Sequence, residues 1–236
     1  MPKLVFDIET AGNDFDTFDK TTQGVLTNRI KKEFGKSDEY KIALEKLKDE
    51  LVFSPLTSEI VAIGVLDCDK NKGTVYFQAP EKETEDFEED NIKYKCMTEA
   101  EMLEGFWMGA ENYNEFISFN GRGFDAPFMM IRSAIHKIRP TKNLMYNRYL
   151  NSQPTNAKHV DLYDQLNFYG ATRKRPGLHL WSRAIGVKSP KSEGTKGEDV
   201  TRLFREKKYE EIARYNALDL FATHELYKVW KDYINI

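Results

Sequence analysis

The run Leu4-Val5-Phe6-Asp7-Ile8-Glu9-Thr10 limits the fold more than any other stretch of this chain. Leu4, Val5, Phe6 and Ile8 read as a strand buried in a sheet. Side chains alternate along a strand, so Asp7 and Glu9 share one face while Phe6 and Ile8 enter the opposite layer. Two acids together at the end of a buried strand repel each other and lose hydration. A divalent cation between them relieves that cost, and hard oxygen donors suit Mg²⁺ or Mn²⁺. Opening onto water relieves it too, so the pair alone leaves both explanations open.

After this strand the pattern changes. Residues 13–55 are polar and lysine-rich, with Ile42, Leu44, Leu47 and Leu51 at near-helical spacing. They predict one or two amphipathic helices inserted after the first strand. Glu59 to Leu66 is the clearest strand, and with Thr74 to Phe77 across a turn-rich Asp67 to Gly73 it predicts a hairpin. Thr98-Glu99-Ala100-Glu101 has capping-box spacing and opens a helix. Phe116 to Phe119 is a strand, Asn120 to Gly123 a glycine turn, and Asp125-Ala126-Pro127 starts a helix with Asp125 as its N-cap. Lys158 to Leu162 predicts a last strand. Leu178 to Ile185 is a short helix on which Leu178, Leu180, Trp181 and Ile185 form a core face. Tyr209 to Tyr233 is a long closing helix. Strands come first, then helix and strand alternate, which predicts an α/β fold with one mixed sheet and helices packed on it. The 236 residues are enough for one such domain with an insertion at 13–55.

Charge and cysteine content narrow the function classes. The formal net charge is -3, which argues against a general nucleic-acid coat. Glu81 to Asp90 is acidic, while Arg132 to Arg139 and Arg173-Lys174-Arg175 are basic. A local basic rim suffices for an enzyme that holds one chain end, and a solvated surface accounts for the same clusters. No stretch approaches a membrane span. The early acids disrupt any signal-peptide pattern. Cys68 and Cys96 lack metal-ligand spacing and read as free thiols, so a cytoplasmic location is expected. His136, His159, His179 and His224 form no cluster and read as packing or surface residues.

Two further elements carry chemistry. Asp125 follows the Phe116 to Phe119 strand across Asn120-Gly121-Arg122-Gly123-Phe124, where the glycines let backbone approach closely. On the closing helix Tyr215 and Asp219 are i,i+4 neighbours, which sets a phenol beside a carboxylate. A helix cap explains Asp125 alone, and surface exposure explains Tyr215 and Asp219 alone. Asp161 and Asp164 near a strand end read as structural.

Taken in order, Phe6-Asp7-Ile8-Glu9-Thr10, Asn120 through Asp125, and Tyr215-Asn216-Ala217-Leu218-Asp219 resemble the three exonuclease motifs of the DEDD superfamily. Tyr four residues before the last Asp resembles the DEDDy branch; the DEDDh branch has His five residues before, where this chain has Arg214. The wording from Asn120 to Phe128 looks most like stand-alone relatives of the family B DNA polymerase proofreading domain. The resemblance spans the chain except for residues 13–55. It implies a ribonuclease H-like fold and a 3′–5′ exonuclease that releases nucleoside monophosphates with two ions, Mg²⁺ or Mn²⁺. Asp7, Glu9, Asp125 and Asp219 would be the metal ligands, and Tyr215 would orient the water. Thr10, Asn120 and Phe124 would contact the terminal nucleotide, with Phe124 stacking on its base; a core role would equally suit Phe124.

The expected substrate is single-stranded or frayed DNA, with RNA as the alternative and a replication or repair protein as a further partner. A non-catalytic nucleic-acid-binding module is the rival from another class. Loss of an acid would mark it, and all four acids and Tyr215 are present.

Overall fold

The computed structural model describes residues 1–35, 37–81, 84–187 and 197–235. A seven-stranded sheet forms its centre, in the order β4-β5-β3-β2-β1-β6-β7. The strands are β1 (Lys3–Gly12), β2 (Ser58–Asp67), β3 (Lys72–Phe77), β4 (Phe87–Glu89), β5 (Ile92–Cys96), β6 (Glu115–Ser118) and β7 (Lys158–Asp161). β1, β2 and β3 form an antiparallel meander, which includes the expected hairpin. β6 and β7 run parallel to β1 on its other side, so the sheet is mixed. β4 and β5, in and just after the acidic segment, extend the far edge; neither strand was expected from sequence.

Both faces of the sheet are covered. Leu4, Phe6 and Ile8 pack with Ile60, Ile63 and Phe116 against α3 (Glu99–Ala110) and α4 (Asp125–Ile135). Val5 and Ala11 face the other way, toward α7 (Val200–Arg205) and α8 (Tyr209–Tyr233). The alternation expected for β1 is therefore present: Asp7 and Glu9 share the face of Val5, on the α8 side. α8 buries Ile212, Ala213, Asn216, Ala217, Leu220 and Thr223, a stripe at helical spacing that lies on β1 and β2.

A bulge sits beside the acids. Glu9 pairs with Ala62 but Thr10 pairs with Ile60, which leaves Val61 as an extra residue on β2. Val61 and Ala62 consequently both join the α8-side core. Such a bulge bends the strand pair and re-aims nearby side chains.

Between β1 and β2 lie α1 (Lys20–Phe34), α2 (Asp38–Glu50) and a 3-10 turn at Leu51–Phe53. Of the one or two helices expected there two are present, yet α1 buries only Thr27 and α2 no residue. Ile42, counted in the apolar stripe, is exposed; the buried anchor is Leu51. α5 (Leu162–Leu166) follows β7 directly and α6 (Leu178–Ala184) lies farther on. Among the described residues, no helix is long and apolar enough to cross a membrane.

α3 opens with the expected capping box, Thr98 and Glu101 exchanging bonds. α4 departs from expectation. Its N-cap is Phe124, and Asp125 is the first helical residue. The Asp125 carboxylate bonds across to β1 instead of capping its own helix.

Candidate active site

Three carboxylates converge at the centre of the sheet. Oxygens of Asp7, Glu9 and Asp219 all lie within 4.8 Å of one another. β1 supplies the first two and α8 the third. Burial raises Asp7 and Glu9 well above the usual carboxylate range, and mutual repulsion with Asp125 and Asp219 adds to it. Burial and repulsion both favour the protonated form of these groups. A divalent cation with hard oxygen preference fits this donor set, because it stabilises the ionised form that the protein alone disfavours.

Asp125 has a different position. It is buried, outside the three-oxygen cluster, and accepts the backbone N–H of Ile8 at 2.9 Å. Ile8 lies between Asp7 and Glu9, so Asp125 pins the backbone that carries both. β6 pairs with β1 only as far as Val5, and farther along β1 the Asp125 side chain takes the Ile8 amide. Burial pushes Asp125 up to about 7, partly offset by that hydrogen bond and reinforced by Asp161 and Asp219.

The α8 side chains form a row under the acids. Tyr215 is buried, with its hydroxyl bonded to Asp219 one turn on. Burial and then the charges of Asp219, Glu9 and Asp7 hold the phenol far above its ordinary value, so it stays protonated. Asn216 was not among the residues singled out from sequence. Fully buried, it donates its side-chain N–H to Asp7 Oδ2 at 2.8 Å. Gly64 makes this possible. It stands opposite Asp7 in the β1–β2 register, and a Cβ there would lie 2.0 Å from Asn216 Oδ1. The sequence signal was available: Asn216 occupies the apolar stripe of α8, three residues before Asp219, where a polar side chain needs a partner.

The turn after β6 is held by Asp161, whose carboxylate accepts Asn120 N–H at 2.8 Å and Arg122 N–H at 2.9 Å. Asn120 takes a left-handed φ of 65°. Gly121 packs against Ser118, where a Cβ would lie 2.2 Å from Oγ. Beneath it His159 accepts from Ser118 and donates to the Leu144 carbonyl; burial lowers it to about 4, so it is neutral. The structural role expected for Asp161 is present, and Asp164 pairs with Arg148.

A cleft of about 330 Å³ opens over Asp7, Tyr215 and Asp219, walled by Phe119, Gly177, Leu178, His179 and Leu180. The core face expected on α6 is present for Leu178, Trp181 and Ile185, which pack on the core, and is corrected at Leu180, which is exposed and lines the cleft with His179. A seven-residue helix gives too little periodicity to tell a core face from a cleft wall.

The family model for a predicted 3′–5′ exonuclease related to the exonuclease domain of PolB matches residues 55–233. The chain belongs to this family. The match covers most of the chain and starts after the helices between β1 and β2, so β1 and its two acids lie outside it. No curated protein matches. The family B DNA polymerase from the hyperthermophilic archaeon Pyrobaculum calidifontis is similar in structure, with a TM-score of 0.59 at 17% identity. The similarity covers 97% of this chain but only 24% of the polymerase chain. The fold is thus the ribonuclease H-like fold of a PolB exonuclease, with the central order β3-β2-β1-β6-β7.

Within this exonuclease family frame the other expected site residues take these places. Thr10 is buried and donates to the Val52 carbonyl at 3.1 Å. Asn120 is exposed at the rim of a second hollow with Arg122, Arg148 and Arg175. Phe124 is half-buried, packed on Phe128 and approached by Phe53. The two basic clusters separate. Arg132 is a half-buried partner of the buried Glu99 and not part of a rim, whereas Arg173, Lys174 and Arg175 are exposed just before Gly177 of the cleft.

Proposed function

We propose that this chain is a metal-dependent 3′–5′ exonuclease that digests single-stranded DNA or frayed 3′ ends to nucleoside monophosphates. The convergence of Asp7, Glu9 and Asp219 oxygens within 4.8 Å, with a protonated phenol beside them, carries the proposal. Asp7, Glu9 and Asp219 would hold one Mg²⁺ or Mn²⁺, and Asp125 would join Asp7 at a second. Bound there, the ions would lower the pKa of water and stabilise the attacking and leaving oxygens of the phosphodiester.

The residues of the chain divide the remaining work. Asn216 fixes the Asp7 carboxylate through its 2.8 Å hydrogen bond. Asp125 fixes the Ile8 amide, which sets the spacing of Asp7 and Glu9. Tyr215 cannot act as a base, because burial and three acids keep its proton on; with that proton donated in a hydrogen bond to Asp219, its oxygen would accept a hydrogen bond from the water and so orient it. Asn120, on a turn clamped by Asp161, presents an amide to the terminal nucleotide, and Arg173 to Arg175 supply positive charge beside the cleft. Residues 13–55 are read as an insertion into a single domain. DNA is the proposed substrate because the family is described by its relation to the PolB exonuclease domain and the matched structure is a family B DNA polymerase.

Parallel digestion of end-labelled DNA and RNA by the pure protein tests this. A 3′-labelled single strand should lose its label at once as a mononucleotide, and a 5′-labelled one should shorten as a ladder. Chelator should stop both, and closed circular DNA should survive. Faster digestion of RNA would change the substrate, and internal cuts in a circle would overturn the proposal.

A further inference from the structure

The 3-10 turn at Leu51–Phe53 is fastened to the site, yet it holds an aromatic ring in solvent. Leu51 is buried at 4% exposure, and Thr57 Oγ1 donates to its carbonyl at 2.8 Å. Thr10, next to Glu9, donates to the Val52 carbonyl at 3.1 Å. Arg132, itself locked to Glu99, donates to the Pro55 carbonyl at 3.1 Å. Between these ties Phe53 is 63% exposed. Its ring stands 6.5 Å from that of Phe124 at an interplanar angle of 71°. Phe124 precedes Asp125 and backs onto Phe128 at 5.2 Å.

An exposed phenyl group loses the benefit of burial, and ties on both sides of it point to a ring held for use. The tilt of the pair matters. Two parallel rings would form a slot, whereas rings at 71° form a corner with one floor and one wall. Phe124 is already packed from behind, so the open floor is Phe53.

We propose that Phe53 is a nucleobase-stacking residue for the 3′-terminal nucleotide, with Phe124 as the side wall of the same corner. The assignment rests on the exonuclease function proposed above, which places a single-strand end over β1. A phenyl face accepts any base, which suits digestion without sequence preference. It also gives the helices between β1 and β2 a function: they carry this ring to the end of β1, where its turn is tied to Thr10 beside Glu9.

The test measures binding and cleavage separately. A single-stranded oligonucleotide with 2-aminopurine at its 3′ end is titrated with protein in chelator, where no cleavage is expected, and the fluorescence quench is followed. The same titration is made by anisotropy with a 3′-terminal abasic nucleotide. Phe53→Ala should weaken binding of the base-bearing end by about 5- to 100-fold. It should leave the abasic end within about twofold of the parent, and Phe53→Trp should restore both quench and affinity. Val25→Ala, at a residue 72% exposed on α1, should change neither. Equal losses on base-bearing and abasic ends would overturn the proposal, because the contact would then not be to a base. Parental binding by Phe53→Ala would overturn it too. If the parent binds and quenches but digests no oligonucleotide with Mg²⁺, the exonuclease proposal fails while the stacking role stands.

Discussion

Replacing Asp125 by Asn separates what this residue does for function from what it costs the fold. Burial pushes its carboxyl up to about 7 in the folded chain, from an ordinary value near 3.8. A raised carboxylate binds its proton more tightly when folded. The stability it contributes is therefore intact below about pH 4 and is lost as pH rises toward 7. Each unit is worth about 1.4 kcal/mol, so between pH 5 and 8 the metal-free parent loses about 3 kcal/mol through this one group. Asparagine keeps an oxygen to accept the Ile8 N–H but carries no charge and does not titrate. In chelator the melting temperature of Asp125→Asn, relative to the parent, should therefore rise between pH 5 and pH 8. For a chain of this size about 3 kcal/mol corresponds to about 6–12 °C. At pH 5 the variant gains little, and an unsatisfied amide N–H costs it about 1–3 kcal/mol. Mg²⁺ should reverse the order: the parent gains stability by binding the ion, the variant gains less, and its activity falls. Differential scanning fluorimetry at the two pH values, with chelator and with Mg²⁺, reads all four numbers. A variant-minus-parent difference in melting temperature that stays constant or falls from pH 5 to pH 8 would refute the assignment of a buried, proton-holding carboxyl at Asp125.

Three further outcomes follow from the same geometry. Tyr215→Phe removes one hydrogen bond, so single-turnover cleavage should fall about 10- to 100-fold while the Mg²⁺-dependent melting shift stays; a parental rate would make Tyr215 a packing residue. Gly64→Ala drives a Cβ to within 2.0 Å of Asn216 Oδ1 and 2.8 Å of Leu220, so it should displace Asn216 from Asp7 and reduce both cleavage and metal affinity; unchanged Mn²⁺ binding by calorimetry would show that Asn216 does not position Asp7. Glu99→Ala strands the side chain of Arg132, which is only 13% exposed, and also loses bonds to Ile60 N–H and His136, so urea unfolding should show a loss of about 3–5 kcal/mol; a loss below about 1 kcal/mol would contradict a buried network there.

Much of the fold was legible because it follows from period and punctuation. Alternation in Leu4 to Glu9 assigned Phe6 and Ile8 to one layer and the acids to the other, and they are found so. The spacing of Tyr215 and Asp219 likewise predicted their contact. What was not legible depended on partners distant in sequence. Asp125 has the look of an N-cap, and only the end of β6 pairing at Val5 shows why its carboxylate reaches Ile8 instead. Asn216 counts as one more helical residue until Gly64, on another strand, leaves it room to reach Asp7. Arg132 looked like part of a basic cluster, and its partner Glu99 lies one helix away. β4 and β5 are short strands beside an acidic run; Ile92, Tyr94 and Cys96 do alternate with Lys93 and Lys95, but five residues flanked by charge give a weak period, and only the parallel pairing with β3 shows Ile92 and Tyr94 entering the core.

The central claim is that Asp7, Glu9 and Asp219 together hold the metal on which 3′-end cleavage depends. Its most direct test sets Mn²⁺ binding, by electron paramagnetic resonance, beside single-turnover digestion of a 5′-labelled single strand. Asp7→Ala, Glu9→Ala and Asp219→Ala should each remain folded, lose most of the Mn²⁺ affinity of the parent and digest at least about 1000-fold more slowly, since each removes a ligand from the reacting centre. A variant that keeps parental digestion after losing any one of the three carboxylates would contradict the account.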